Sequence, residues 1–120
     1  MKKVINFLSL LLVISAFISC EYATIVPDVP SPNVPVYYKT QIQPFFNDKC
    51  VSCHKSGGPK PDLSAANSYQ SLMTNNLVVA GNADNSILYQ KISTGSMSGF
   101  SDPTNNGLVK NWINQGALDN

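Results

Sequence analysis

The chemistry-bearing residues of this 120-residue chain are concentrated in one short stretch, Cys50-Val51-Ser52-Cys53-His54. Positions i, i+3 and i+4 share one face of a helical turn, so this spacing directs two thiols and one imidazole to the same side. Two thiols placed in this way can bond to the two vinyl groups of a haem while the adjacent imidazole points at the iron. C-x-x-C-H is the attachment signature of c-type haem, and it predicts one covalently bound haem c.

Two other kinds of site also use closely spaced cysteines. A redox-active C-x-x-C of the thioredoxin type requires a βαβ setting, and the sequence shows no parallel-strand pattern. A structural zinc site requires four Cys or His ligands. Cys50, Cys53 and His54 supply three, the chain has no second His, and Cys20 is expected to carry lipid. Haem attachment is therefore favoured over both alternatives.

The elements that must position this motif are helical, because residues 37–120 show no strand alternation. A first helix leading toward the motif is predicted from apolar residues at helical spacing, namely Tyr38, Ile42, Phe45 and Phe46. Pro44 is expected to act as a bend or an early break in it. A domain of this size has a marginal hydrophobic core, and a buried haem would supply the missing contacts.

Three further helices are predicted after the motif. Two short ones cover residues 68–73 and 86–92. A last helix is indicated by Leu108, Val109, Trp112 and Ile113, with Asn106-Gly107 as its start and Gly116 as its end. Its apolar face is expected to pack against the aromatic face of the first helix.

With these elements, residues 40–117 resemble the small bacterial monohaem cytochrome c domains of the class I type. The resemblance rests on Ile42-Gln43-Pro44-Phe45, the motif Cys50 to His54, Val79-Ala80-Gly81-Asn82, Ser86-Ile87-Leu88-Tyr89 and Trp112-Ile113-Asn114-Gln115-Gly116-Ala117. It implies an all-α domain wrapped around one covalently attached haem. His54 would be the proximal ligand, and a methionine sulfur would bind the other face. It also implies that a proline carbonyl, of Pro59 or Pro61, holds His54 Nδ1.

The second axial ligand has two candidates within the chain. His54 is the only histidine, so a second histidine ligand is excluded. Met97 lies in a Gly- and Ser-flanked stretch between two predicted helices, where the backbone could cross the distal face. Met73 is the rival, but it follows Leu72 on a predicted helix, where a methionine more often packs in the core. Met97 is therefore the predicted distal ligand.

The N-terminal third of the chain is predicted to lie outside the domain. Lys2, Lys3 and a short apolar run are typical of a secretory signal, predicted over 1–19. The run ends in Phe17-Ile18-Ser19-Cys20, which resembles a bacterial lipobox and implies lipidation of Cys20 as the first mature residue. The proline-rich segment 20–36 then predicts an extended linker before the domain at 37–120.

Charge and location limit the functions to be considered. Removing Lys2 and Lys3 leaves six of eight basic residues against seven acidic ones, and the chain has no Arg, so no nucleic-acid role is indicated. We expect a lipid-anchored one-electron carrier on the periplasmic or cell-surface side of a bacterial membrane, with redox proteins as partners and no catalysis of its own. The alternatives are a haem protein whose distal site is open to small gases or peroxide, and a haem subunit of a larger oxidoreductase.

Overall fold

The computed structural model describes residues 28–120. Of these residues, 44% are helical and no strand occurs among them, which confirms the all-α class. The predicted signal 1–19 and the predicted lipidation site Cys20 lie outside the described residues. Across 28–120, no helix is long and apolar enough to cross a membrane.

The first helical segment changes helix type near its middle. A π-helical turn spans Tyr38–Ile42 and continues into α1, Gln43–Lys49. Pro44 lies in the first turn of α1 and has no N–H to donate to the preceding turn. The N–H of Gln43 donates to the carbonyl of Tyr38, five residues back. The bend or break expected at Pro44 therefore takes the form of a π turn joined to an α-helix.

Two seven-residue helices follow the cysteine motif. α2 spans Ser68–Thr74 and α3 spans Ile87–Ser93, each within one residue of its predicted bounds. Ser86 precedes α3 instead of beginning it. Its hydroxyl donates to the carbonyl of Asn82 at 2.8 Å and accepts from the N–H of Val79 at 2.9 Å. These bonds fix the turn that leads into α3.

The last helix, α4, spans Pro103–Asn114 and follows a 3₁₀ turn at Ser98–Phe100. The predicted start at Asn106-Gly107 is wrong, because stronger start signals stand one turn earlier. The Asp102 carboxylate caps the helix by accepting from the N–H of Asn105 at 2.8 Å, and a proline opens the first turn. The predicted end is confirmed, since Gly116 has a φ of 105° just beyond the helix.

The core joins the two ends of the domain. The side chains with the least exposure come from the π turn and from α1, α2 and α4, and include Ile42, Phe46, Leu72, Val109, Trp112 and Ile113. Aromatic side chains of the first helical segment pack against α4, as the sequence predicted. α3 also packs against α4 and adds Leu88 and Ile92 to the core.

Residues 29–36, here called the strap, lie along α4. Asn111 Nδ2 donates to the carbonyl of Pro30 at 2.8 Å, and Gln115 Oε1 accepts from the N–H of Val36 at 2.9 Å. Val36 is buried. Domain contacts thus begin about eight residues before the predicted domain start. The amide side chains of Asn111 on α4 and of Gln115 just beyond it bind the backbone of a proline-rich segment that has few hydrogen-bond donors of its own.

Candidate haem site

The cysteine motif winds as one turn beyond α1. The N–H of Cys50 donates to the carbonyl of Phe46 at 2.9 Å. The carbonyl of Cys50 in turn accepts from the N–H of Cys53 at 3.2 Å and from that of His54 at 2.8 Å. These bonds give the motif the local geometry that its spacing requires for two thiols and an imidazole to share a face.

His54 is held from behind by the loop that follows it. Its Nδ1 atom lies 3.2 Å from the carbonyl oxygen of Pro59 and 3.2 Å from that of Pro61. The backbone carbonyl of His54 accepts from the N–H of Leu63 at 2.8 Å. A hydrogen on Nδ1 donates to these proline carbonyls and leaves the lone pair of Nε2 for a metal. Both prolines that the sequence left open therefore lie within bonding distance of the same ring nitrogen.

Two glycines bring the proline carbonyls back to the imidazole. Gly57 has a φ of 80°, in the left-handed region that glycine adopts without strain. A Cβ atom on Gly58 would collide with the carbonyl oxygen of Cys53 and lie 3.1 Å from that of Lys55. Neither glycine was predicted as a site residue, although Gly-Gly before Pro is a turn signal. Their role depends on which backbone atoms the turn approaches.

A cavity of about 640 Å³ opens beside the motif. Its wall contains the four residues predicted to bind the cofactor, namely Cys50, Cys53, His54 and Met97. Most of the remaining wall is apolar and includes Phe45, Phe46, Leu63, Leu77, Leu88 and Ile92. The volume lies within the range of about 300–1,000 Å³ that is usual for small-molecule and cofactor sites. The cavity therefore has the size and the apolar lining that are usual for a cofactor site.

Met97 reaches the cavity from the turn that follows α3. Its side chain is half-buried, and its backbone N–H donates to the carbonyl of Lys91 at 3.0 Å. Its carbonyl accepts from the N–H of Phe100 at 3.0 Å. Met73 is not part of the cavity wall and packs on α2 against the hydrophobic core. Of these two methionines, Met97 is the one that shares the cavity with His54.

The two cysteines of the motif differ in their environment. Cys50 is half-buried and Cys53 is exposed, and both are free thiols. Burial raises the pKa of the Cys50 thiol to about 11, because the apolar surroundings disfavour the thiolate. At neutral pH this thiol is therefore protonated.

Asp62 organises the loop between the proline carbonyls and α2. Its carboxylate accepts from the Ser64 hydroxyl at 2.6 Å and the Ser64 N–H at 3.0 Å. It also accepts from Ser56 and from Asn67, each at 2.9 Å. These hydrogen bonds, those from Ser64 above all, lower the pKa of Asp62 well below its usual 3.8. The charged carboxylate thus ties together a loop that also carries the proline oxygens facing His54.

Two exposed apolar side chains form part of the cavity wall. Ile87 is 43% exposed and Phe100 is 59% exposed, yet both line the cavity. A flat apolar ligand in the cavity would cover them. The sequence did not mark either as a site residue, since Ile87 fits an ordinary helix face and Phe100 follows a Gly- and Ser-rich stretch.

The residues present fit a haem better than a bare metal ion. Within residues 28–120, no three or more His, Cys, Asp or Glu side chains are grouped to hold a metal. Haem iron instead takes axial ligands from single side chains, and its porphyrin requires an apolar surround.

No protein-family model matches the chain, and neither a curated protein nor a solved structure with significant similarity to it was found.

Proposed function

We propose that this chain is a one-electron carrier with a single haem c, bound through Cys50 and Cys53 and ligated by His54 and Met97. The observation that carries the proposal is the shared cavity of about 640 Å³. Its wall combines two thiols, an imidazole and a thioether with apolar side chains, which is the chemistry that a covalently bound, six-coordinate haem needs. The all-α domain would then be a small cytochrome c domain of the class I type.

Cys50 and Cys53 would attach the cofactor. Each thiol would add across one vinyl group, with its sulfur bonded to one carbon and its hydrogen to the other. The result is a thioether, with no external oxidant or reductant needed.

His54 and Met97 would set the properties of the iron. A bound haem supplies reversible one-electron chemistry. The carbonyls of Pro59 and Pro61, each 3.2 Å from Nδ1, orient the imidazole so that Nε2 is the nitrogen available to the iron. The thioether of Met97 is a softer donor than a second imidazole and favours a higher potential. The apolar part of the wall would limit the access of solvent to the iron.

Electron transfer is favoured over catalysis by the ligand set. With His54 and Met97 both bound, the iron would have no coordination site left for a substrate. The chain also contains no Arg and no second His, the side chains best suited to assist O–O cleavage. We therefore propose redox proteins as partners, which would exchange electrons at the haem edge.

The proposed carrier would be anchored by lipid on Cys20, outside the cytoplasm. The strap meets α4 from residue 29, so about nine residues separate the anchor from the domain. A chain of that length spans about 30 Å when fully extended. If residues 29–36 were also free, the linker could extend to roughly twice that length. Binding of the strap to the domain would therefore keep the haem close to the membrane surface.

Spectra of the purified holo-protein test the proposal directly. We expect a low-spin ferric spectrum with the far-red sulfur-to-iron band, and a ferrous form that does not bind CO. Haem should stay on the polypeptide during extraction with acidified organic solvent. Extraction of the haem would contradict covalent attachment, and ready CO binding would favour the open distal site instead.

For the anchor, Cys20→Ala should move the protein from the membrane fraction to the soluble fraction, and continued membrane association would argue against lipidation.

A further inference from the structure

The turn after α3 folds back closely onto the last turn of that helix. The N–H of Gly95 donates to the carbonyl of Gln90 at 2.9 Å. Two residues later, the N–H of Met97 donates to the carbonyl of Lys91 at 3.0 Å. These two bonds place the backbone of the turn against helix backbone, and they fix where the side chain of Met97 begins.

Gly95 leaves no room for a side chain at this point. An added Cβ would lie 2.9 Å from the carbonyl oxygen of Gln90, 2.9 Å from the Cα of Lys91 and 3.2 Å from the Lys91 carbonyl oxygen. These are backbone atoms of a hydrogen-bonded helix, which cannot rotate away as a side chain would. Gly95 does not have a positive φ, so the requirement is for space and not for an unusual backbone conformation.

We propose that Gly95 is the positioning residue for the distal ligand, a proposal that rests on Met97 binding the haem iron. Any side chain at position 95 must lift the turn from α3 and stretch the bond from Met97 N–H to Lys91. The Met97 sulfur would move with its backbone. Because ligation depends on a short iron–sulfur distance while the thioethers and His54 lie elsewhere, loss of the distal ligand is the specific consequence.

Two alanine substitutions in the same loop provide the test. Gly95→Ala introduces the contacts described above, whereas Gly99→Ala introduces none, since an added Cβ at Gly99 meets nothing within 4 Å. In holo-protein with haem covalently attached, Gly95→Ala should lose the far-red band, bind CO in the ferrous state and have a lower potential. Gly99→Ala should match the unsubstituted protein in all three. A Gly95→Ala protein that keeps the band and excludes CO would overturn the inference.

The double variant Gly95→Ala, Met97→Ala separates positioning from general damage to the fold. If Gly95 acts on the haem through Met97, the double variant should match Met97→Ala in spin state, CO binding and potential. A further change in spin state, CO binding or potential when Gly95→Ala is added to Met97→Ala, or failure to fold in both backgrounds, would mean that Gly95 acts on the fold as a whole and would refute the proposal. The unsubstituted protein shows the other kind of failure: if it lacks the far-red band, Met97 is not the ligand, and both proposals fall at that step.

Discussion

The rings of Tyr38 and Trp112 pack with their centroids 5.0 Å apart, which joins the first helical turn of the domain to its last helix. Tyr69 completes the cluster, with its centroid 5.4 Å from that of Tyr38 and 6.5 Å from that of Trp112. The indole N–H of Trp112 donates to the carbonyl of Leu118 at 2.9 Å. This cluster closes the domain on a part of the fold that does not line the cavity.

Removal of the indole should therefore destabilise the domain without changing haem ligation. Trp112 is 1% exposed, and truncation of a buried aromatic side chain to alanine costs about 3–5 kcal/mol. We expect Trp112→Ala to lower the free energy of unfolding by about that amount, measured by denaturant titration of the holo-protein. The control is Tyr37→Ala, next to Tyr38 in the sequence. Because Tyr37 is 51% exposed, this variant should change the free energy of unfolding by about 0.5 kcal/mol or less. Equal effects would mean that the aromatic cluster does not hold the two ends together.

The strap should loosen when its hydrogen bonds to Gln115 are removed. Gln115 binds the strap three times, accepting from the N–H of Val36 and donating to the carbonyls of Pro32 and Val34 at 3.2 and 2.8 Å. Gln115→Ala should therefore increase the rate of proteolytic cleavage within residues 29–36 while the haem spectrum stays the same. Gln70→Ala, at an exposed position on α2, is the control. Unchanged cleavage in Gln115→Ala would indicate that the strap is held by other contacts.

The strap also shows which parts of the structure sequence patterns could not predict. Helix positions follow from local periodicity, and the motif follows from its spacing, so both could be predicted without the fold. By contrast, a Cβ at Gly107 would lie 2.7 Å from the Cγ1 atom of Val29. No local sequence pattern predicts this contact between Val29 and Gly107 on α4. The start of α4 is a different case, because Asp102 and Pro103 are local start signals that the sequence does contain.

Folding should depend on the haem. The cavity wall includes core residues such as Phe46, Leu63 and Ile92, whose contacts a bound haem would complete. The Cys50→Ser, Cys53→Ser variant cannot attach haem and should be largely unfolded, without a cooperative thermal transition in circular dichroism. The matched control is Ser52→Ala, inside the motif but without a role in attachment, which should unfold like the unsubstituted holo-protein. A cooperative, native-like transition in the cysteine variant would show that the helices fold on their own.

Acid should weaken the loop that carries the proline carbonyls. The folded-state pKa of Asp62 lies below its usual 3.8, so its contribution to stability is present above about pH 4 and is lost as the pH falls through the lower, folded-state value. Asp62→Asn should be less stable at pH 7, and the difference from the unsubstituted protein should shrink below about pH 4. Asp84→Asn, which breaks an exposed ion pair with Lys110, should have little effect at either pH. An Asp62→Asn difference that stays constant from pH 7 to pH 2 would contradict this role.

The candidate site was predictable to the extent that its chemistry is carried by residue type. Cys50, Cys53 and His54 lie within five consecutive positions, so their spacing alone predicts a shared function. Met97 could be preferred over Met73 only because its surroundings are not those of a helix core. Gly58 and Gly95 could not be identified from sequence, because each is required by backbone atoms that only the folded chain brings near.

The most direct test of the central claim is the spectrum of Met97→Ala compared with that of Met73→Ala. Met97→Ala should keep its covalent haem but lose the far-red sulfur-to-iron band, become high-spin in the ferric form and bind CO in the ferrous form. Met73→Ala should keep the spectrum. Its loss of stability should lie below the about 2–5 kcal/mol expected for a fully buried methionine, because Met73 is partly exposed. If Met97→Ala stays low-spin and excludes CO while Met73→Ala loses the band, the distal ligand is Met73 and the proposed role of the turn after α3 is wrong.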